Sequence, residues 1–382
     1  MLRTRDRKIT EDREEKDGFS GGTDISDRYR GKTKLIRASD YSQIVVKAAS
    51  ERSRLIGRKQ IENLAESRDL NEFVSRLKGS PYEPLLKNIR HLSARKLQHI
   101  FREELARVCS KMVRFSPKET RFFLEDYISY FEIENLKALL KMKHVRVPAD
   151  VLVTRLHLLV EEIFGAKERF IQAAKAEDVK AAVETFKGTM YEPILSEGLA
   201  RYEETGSTKF FDFSLDRAYH DKLLVSARLV PTKDREIALQ FAGLKVDMFN
   251  IITAVRSNIL RYPSHQVYRA ITHRFYKLNE KNIRDLVLSE NLDSALNLIK
   301  QSFYGRFLAQ HESVEDVIID FERKIKSFSL KSLEKKRIIN IFSVATPLDL
   351  IAKKEKETEN LTIISSGIEF GWEPENLISA LV

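Results

Sequence analysis

Residues able to do chemistry recur in this chain at regular spacing. An acid stands three residues ahead of an asparagine, with an aliphatic residue next, at Glu132, Asn135 and Leu136, at Asp247, Asn250 and Ile251, and at Glu357, Asn360 and Leu361. On a helix this spacing puts carboxylate and amide on one face. Such pairs could form a polar ring facing a central cavity, where the acids would suit a basic partner. The expectation is the simpler use: each asparagine hydrogen-bonds a neighbouring loop and fixes helix register, while its acid stays at the surface. A tyrosine recurs too. Gly79-Ser80-Pro81-Tyr82-Glu83-Pro84 returns as Gly188-Thr189-Met190-Tyr191-Glu192-Pro193 and, more faintly, as Gln301-Ser302-Phe303-Tyr304-Gly305-Arg306. Three copies of a ligand site could be built this way. Repetition favours a structural corner instead, each ring packed between helices with its hydroxyl on a backbone partner.

Other chemistry is sparse. The eight histidines show no His-Glu-x-x-His pattern; His265 and His273 stand apart and His311-Glu312 is isolated, so no metal site is expected. There is no Gly-x-x-x-x-Gly-Lys-[Ser/Thr] loop and no serine elbow, so the chain is read as having no nucleotide or other cofactor, no catalytic residue and no enzyme activity of its own. The single cysteine, Cys109, excludes an internal disulfide, reads as a small buried residue on a helix and suits a reducing cytoplasm. The run Glu334-Lys335-Lys336-Arg337, with Lys353-Lys354 after it, could meet phosphates but is expected to be a solvated helix face.

The elements that must hold these residues are helical. Charged residues make up 32% and hydrophobic ones 42% of the 382 positions, while glycine and proline number only 14 and 9, a balance that favours long helices. Before each tyrosine comes an amphipathic stretch with apolar residues at helical spacing: Leu70, Phe73, Val74, Leu77; Val179, Ala182, Val183, Phe186; Leu292, Ala295, Leu296, Ile299. Each ends in lysine, and in two copies a glycine follows as the stop. Pro84 and Pro193 predict that the next helix starts at the proline, leaving the tyrosine extended. Two longer helices complete each unit. Capping is predicted at Ser116-Pro117-Lys118-Glu119, at Thr232 after Pro231, and around Thr346-Pro347. Pro148, Pro263 and Pro374 close the units.

By subtraction, the three tyrosines lie 109 and then 113 residues apart, so the repeating unit is a whole helical subdomain. The expected division is a flexible charged extension over residues 1–40, then units at 41–149, 150–263 and 264–382. The charged start lacks a signal-peptide core, and no uninterrupted apolar run approaches a membrane span, so a soluble chain is expected, any membrane association coming through a partner. The net charge of +10 suits an acidic partner, whether protein, anionic headgroups or nucleic acid. A basic all-helical scaffold that binds nucleic acid is the alternative reading.

The threefold unit, the Gly-Thr-Met-Tyr-Glu-Pro at 188–193, Asp216-Arg217-Ala218-Tyr219, Lys354-Glu355-Lys356-Glu357-Thr358-Glu359-Asn360-Leu361 and Gly371-Trp372-Glu373-Pro374-Glu375 together resemble the C subunit of archaeal and bacterial A/V-type ATPases, whose counterpart in the eukaryotic vacuolar enzyme is the d subunit. The resemblance covers about residues 41–382. It implies three similar helical bundles arranged as a pseudo-threefold funnel, and a noncatalytic central-rotor subunit. Such a subunit joins the central stalk to the membrane proteolipid ring and couples ATP synthesis or hydrolysis to proton or sodium transport. It implies a cytoplasmic, membrane-peripheral location, with possible headgroup contact, and neither a small-molecule substrate nor specific nucleic acid. Two features depart from the family pattern: the N-terminal extension, and a third tyrosine motif without the leading glycine and the Glu-Pro.

Overall fold

The computed structural model describes residues 36–382 apart from Asn88, Arg90 and the stretch 310–312. The expected flexible extension therefore falls almost wholly outside the described residues, as do His311 and Glu312. Among the described residues every regular element is a helix, as the composition implies.

The short helices form where their apolar spacing places them: Leu70–Arg76, Val179–Glu184 and Leu292–Lys300. Their starts share a device that the apolar pattern does not reveal. Asp69, Asp178 and Asn291 each accept a hydrogen bond from the backbone N–H three residues on, at 2.8, 2.8 and 2.9 Å, satisfying a donor the helix cannot pair internally. The corners that follow differ from expectation. Helices Glu83–Leu86 and Glu192–Thr205 begin at the glutamate, with the proline second, and Tyr82 and Tyr191 already have helical backbone angles. A proline in the first turn gives up an N–H that has no partner there anyway. The glutamate is also anchored: its carboxylate accepts from the N–H of Gly79 at 2.9 Å and of Gly188 at 2.7 Å. Both glycines sit in the left-handed region, at φ 79° and 74°, which a side chain would disfavour. In the third copy a short turn of 3-10 helix, Phe303–Phe307, replaces this arrangement.

Long helices make up the rest: Ala94–Phe115, Lys118–Ile128 and Tyr130–His144; Lys209–Leu229 and Thr232–Ile259; Val314–Ile339 and Ala345–Glu369. Two predicted caps are corrected. Ser116 donates its hydroxyl to the Met112 carbonyl at 2.7 Å and so closes the helix before it, and Thr232 is the first helical residue after Pro231 rather than the cap. Cys109 is buried within Ala94–Phe115. Helix Thr232–Ile259 is long and apolar enough by composition to cross a membrane, but 61% of the relevant window is buried inside the protein, and its polar residues Asp234, Asp247 and Asn250 are buried.

Packing is offset from the sequence period. One core joins Ile61, Phe73, Tyr82 and Phe101 to Leu361, Ile364 and Leu377 from the far end of the chain. A second joins Leu244, Ile251 and Val255 to Ile271, Tyr304 and Ile325. The largest includes Leu136 and Leu140 together with Phe170, Phe186 and Tyr191. The short helices of each unit thus pack on the last helix of the unit before, and those of the first unit pack on the last helix of the third.

Candidate functional site

The two repeated marks meet at these offset contacts. The hydroxyl of Tyr191 donates to Glu132 at 2.6 Å, that of Tyr304 to Asp247 at 2.8 Å, and that of Tyr82 to Glu357 at 2.7 Å. Each tyrosine of one unit holds the acid of the unit before, and the first unit holds the third, so three joints close a cycle. The acids are therefore buried, not at the surface, and each tyrosine takes a carboxylate rather than a backbone partner. A buried carboxylate requires donors and a buried phenol requires an acceptor, so each meets the other's need. The asparagines behave as expected. Asn135 pairs with the backbone of His157, its Nδ2 donating at 3.2 Å and its Oδ1 accepting at 3.0 Å. Asn250 does the same with Thr272, at 3.1 and 3.0 Å, and Asn360 accepts from the N–H of Val382 at 2.8 Å. In all three the partner lies 22 residues further on.

The joints differ in how the acid is compensated. Asp247 also accepts from the N–H groups of Tyr276, Lys277 and Leu278 at 3.0, 2.7 and 3.0 Å; burial still holds its carboxyl above the usual aspartate range. Glu357 accepts from the N–H of Ile56 at 2.7 Å and from the Lys354 ammonium at 2.6 Å. Glu132 has a second acid for a neighbour. Glu161, fully buried, accepts from Asn135 Nδ2 at 2.6 Å, and its other oxygen has no partner. Burial first and then the charge of Glu132 push its carboxyl up to about 9, which keeps it protonated at neutral pH. Glu132 is itself raised by burial. Nothing in Leu158-Leu159-Val160-Glu161-Glu162 marks Glu161 in advance.

A cavity of about 1120 Å³ lies among the long helices. Six long helices line it, two from each unit, the pairs being Ala94–Phe115 with Tyr130–His144, Lys209–Leu229 with Thr232–Ile259, and Val314–Ile339 with Ala345–Glu369. Successive turns of the helices that carry the acid and asparagine supply the lining, as with Lys245, Met248, Ile252 and Arg256. The asparagines and their acids are not part of it: they face the joints, so no polar ring of this kind faces the cavity. Leu260 and Tyr262, just past the end of one such helix, also line it.

Those helix ends repeat. Val145, Leu260 and Phe370 follow directly on the three helices and are 67%, 64% and 75% exposed. After each comes a residue in the left-handed region, Arg146, Arg261 or Gly371, at φ 56°, 54° and 70°. The next residue then returns its N–H to the carbonyl of Met142, Ser257 or Gly367, at 2.9, 2.9 and 2.8 Å, closing the helix end. The basic run is largely engaged elsewhere. Arg337 approaches Asp349 at 2.8 Å, Lys336 holds Glu236 at 2.7 Å, and Lys353 holds Glu334 at 2.6 Å, while Arg52 reaches Asp349 from the N-terminal helix at 3.0 Å.

Among the described residues no group of His, Cys, Asp and Glu could hold a metal ion; what the geometry offers is a cavity walled by long helices and exposed apolar residues at three helix ends. Comparison with known proteins agrees in kind. The family described as ATP synthase (C/AC39) subunit matches residues 44–379. The chain is similar to the A-type ATP synthase C subunit of Methanocaldococcus jannaschii, with 24% identity over 358 residues that cover 91% of this chain and 88% of the relative. Similar too are the A-type ATP synthase C subunits of Thermococcus kodakarensis, 23% identical over 342 residues with 89% and 90% covered, and of Thermococcus onnurineus, 25% identical over 338 residues with 88% of each covered.

Proposed function

This chain belongs to the ATP synthase (C/AC39) subunit family, and from that premise we propose that it is the central-rotor coupler of an A-type ATP synthase. It is a structural subunit rather than a catalytic one, in keeping with its relatives' name. In this reading the units at 41–149, 150–263 and 264–382 form a pseudo-threefold funnel. The open end of the cavity receives the central stalk, and the opposite face rests on the proteolipid ring. Torque then passes between ATP synthesis or hydrolysis and the movement of protons or sodium ions, with the chain held peripherally at the membrane by its partners.

The observation that carries the reading is a cavity lined by a pair of long helices from each unit. A rotor adaptor must grip a shaft without yielding under torsion, and close-packed helices yield little. The three cyclic joints add resistance, because relative rotation of any unit would pull a buried tyrosine off a buried acid and leave both unpaired. The exposed apolar residues at the three helix ends supply the contact area that a stable interface needs. Co-purification tests the proposal. The chain should be recovered with the central-stalk subunits and with the proteolipid ring when each is reconstituted with it separately. Failure to associate with either would overturn it.

A further inference from the structure

The cavity is unevenly charged. Most of its acids already have cations. Glu134 and Asp216 both hold Lys137, at 2.9 and 2.8 Å, Asp212 holds Lys141 at 2.7 Å, and Glu322 and Glu359 hold Lys326 at 3.4 and 3.2 Å. Arg102, Lys245, Arg256 and Lys356 line the same space and, among the described residues, make no ion pair with a carboxylate. Arg102, Arg256 and Lys356 are exposed and Lys245 is half-buried. The Lys245 ammonium lies only over the rings of Tyr127 and Phe241, at 5.0 and 5.4 Å from their centroids. Although Lys356 is exposed as a residue, its ammonium is held below the usual lysine range, by partial desolvation first and then by the charges of Arg58 and Lys331. Positive charge is in surplus here, and the cavity's own acids do not absorb it.

The space and the placement of these charges narrow what could balance them. A helix about 10 Å across rises 1.5 Å per residue and so fills roughly 120 Å³ per residue. A cavity of about 1120 Å³ therefore admits about nine helical residues. Lys245 and Arg256 stand three turns apart on one wall helix, a separation of about 16 Å, slightly more than the roughly 14 Å length of such an insert, so they would lie near its two ends. Between them Met248 and Ile252 also line the cavity. Single-stranded nucleic acid would need open aromatic faces on which to stack bases. The rings along this lining are engaged: His220 stacks on Phe249 at 4.1 Å, Tyr130 and Tyr219 meet edge to face at 6.4 Å, and Phe213 meets Tyr262 at 6.4 Å.

We propose that the cavity takes the acidic, amphipathic end of a partner's helical shaft, its carboxylates meeting Arg102, Lys245, Arg256 and Lys356 and its apolar stripe meeting Met248 and Ile252. This rests on the stalk-docking reading above and adds the chemistry of the contact. Complementary charge at such a site sets register and steers encounter, and its effect weakens with salt.

The test uses the full chain and the purified central-stalk subunits of an A-type ATP synthase, with affinity measured at about 50 and 300 mM salt, a range over which screening of exposed charge strengthens markedly. The expected result is at least tenfold weaker binding at the higher salt. At low salt, the Lys245→Glu, Lys356→Glu double variant should lose at least tenfold, while Lys245→Arg, Lys356→Arg retains affinity. Changing the acids at the inserted stalk end to lysine should restore binding to the double glutamate variant. Should that variant fold poorly, Lys356→Glu alone, at an exposed position, carries the same expectation with a smaller loss. Stalk binding that ignores both salt and these substitutions would overturn the charge proposal and leave stalk docking standing. Absence of stalk binding at any salt would remove both. Tighter binding of a short single-stranded oligonucleotide than of the stalk would overturn the proposal in favour of nucleic acid.

Discussion

Two of the three joints, Glu132 with Tyr191 and Glu357 with Tyr82, use the same pair of side chains in the same roles, yet their surroundings are opposite. At the joint that closes the chain on itself, Glu357 has a buried cation, Lys354, which also lies 4.0 Å from Glu104. At the joint between the first two units, Glu132 has Glu161 nearby and no cation in contact with it among the described residues. One joint is an ion pair braced by a phenol; the other is a phenol on a buried carboxyl that has a second buried carboxyl for a neighbour. The repeat therefore preserves the geometry of the joint, while each copy balances its charge locally. The third joint, with Asp247 capping three backbone N–H groups, is a further solution to the same need.

Breaking the ion-paired joint should have the largest effect. Lys354→Met removes the cation between two buried acids, and is expected to destabilise the protein by about 3–5 kcal/mol in urea unfolding. At the other joint, Glu161→Gln should stabilise. The wild-type side chain stays protonated in the folded protein up to about pH 9 but ionises near 4.5 when unfolded. The folded state therefore binds the extra proton between those values, and stability falls as pH rises through that window. Glutamine removes this dependence, so the variant should gain a few kcal/mol at about pH 8 and nothing near pH 4. Matched unfolding curves at the two pH values check this. An equal gain at both would mean that the carboxyl's charge is irrelevant.

The tyrosines rank the joints directly. Tyr191→Phe should cost about 2–3 kcal/mol, because it leaves Glu132 with no remaining donor among the described residues. Tyr304→Phe and Tyr82→Phe should cost about 1 kcal/mol each, since Asp247 and Glu357 keep other donors. Equal losses at all three would erase the distinction. The smallest effect is at the helix ends, where Arg261→Gly relieves a left-handed residue at φ 54° and should raise stability by about 0.5–1 kcal/mol, read as a small upward shift in Tm.

Much of the scaffold is legible in the residues themselves. Apolar spacing at Leu70, Phe73, Val74 and Leu77 places a short helix, and the thrice-repeated tyrosine marks the corner after it. The burial of the acids is not legible, because the partner that makes it tolerable stands in another unit. A hydroxyl 275 residues away leaves no trace in the period around Glu357. Both marks occurring once per unit was the available signal, and it becomes informative only when the units are taken as a closed cycle. Lys245 is similar. A lone lysine in the apolar run Gly243-Leu244-Lys245-Val246 hints at a wall facing something charged, but periodicity cannot say that the wall encloses a cavity. Local spacing writes helices and corners; contacts between distant units, and the charge balance inside them, depend on the assembled whole.

Mechanical coupling is tested most directly by assembling the ATPase in liposomes with and without this chain. Hydrolysis and ion uptake are then measured in the same vesicles. Without the chain, ATP hydrolysis by the catalytic head should persist while ATP-driven ion uptake disappears, and both should be present when the chain is restored. Ion uptake that continues unchanged without the chain would show that torque does not pass through it.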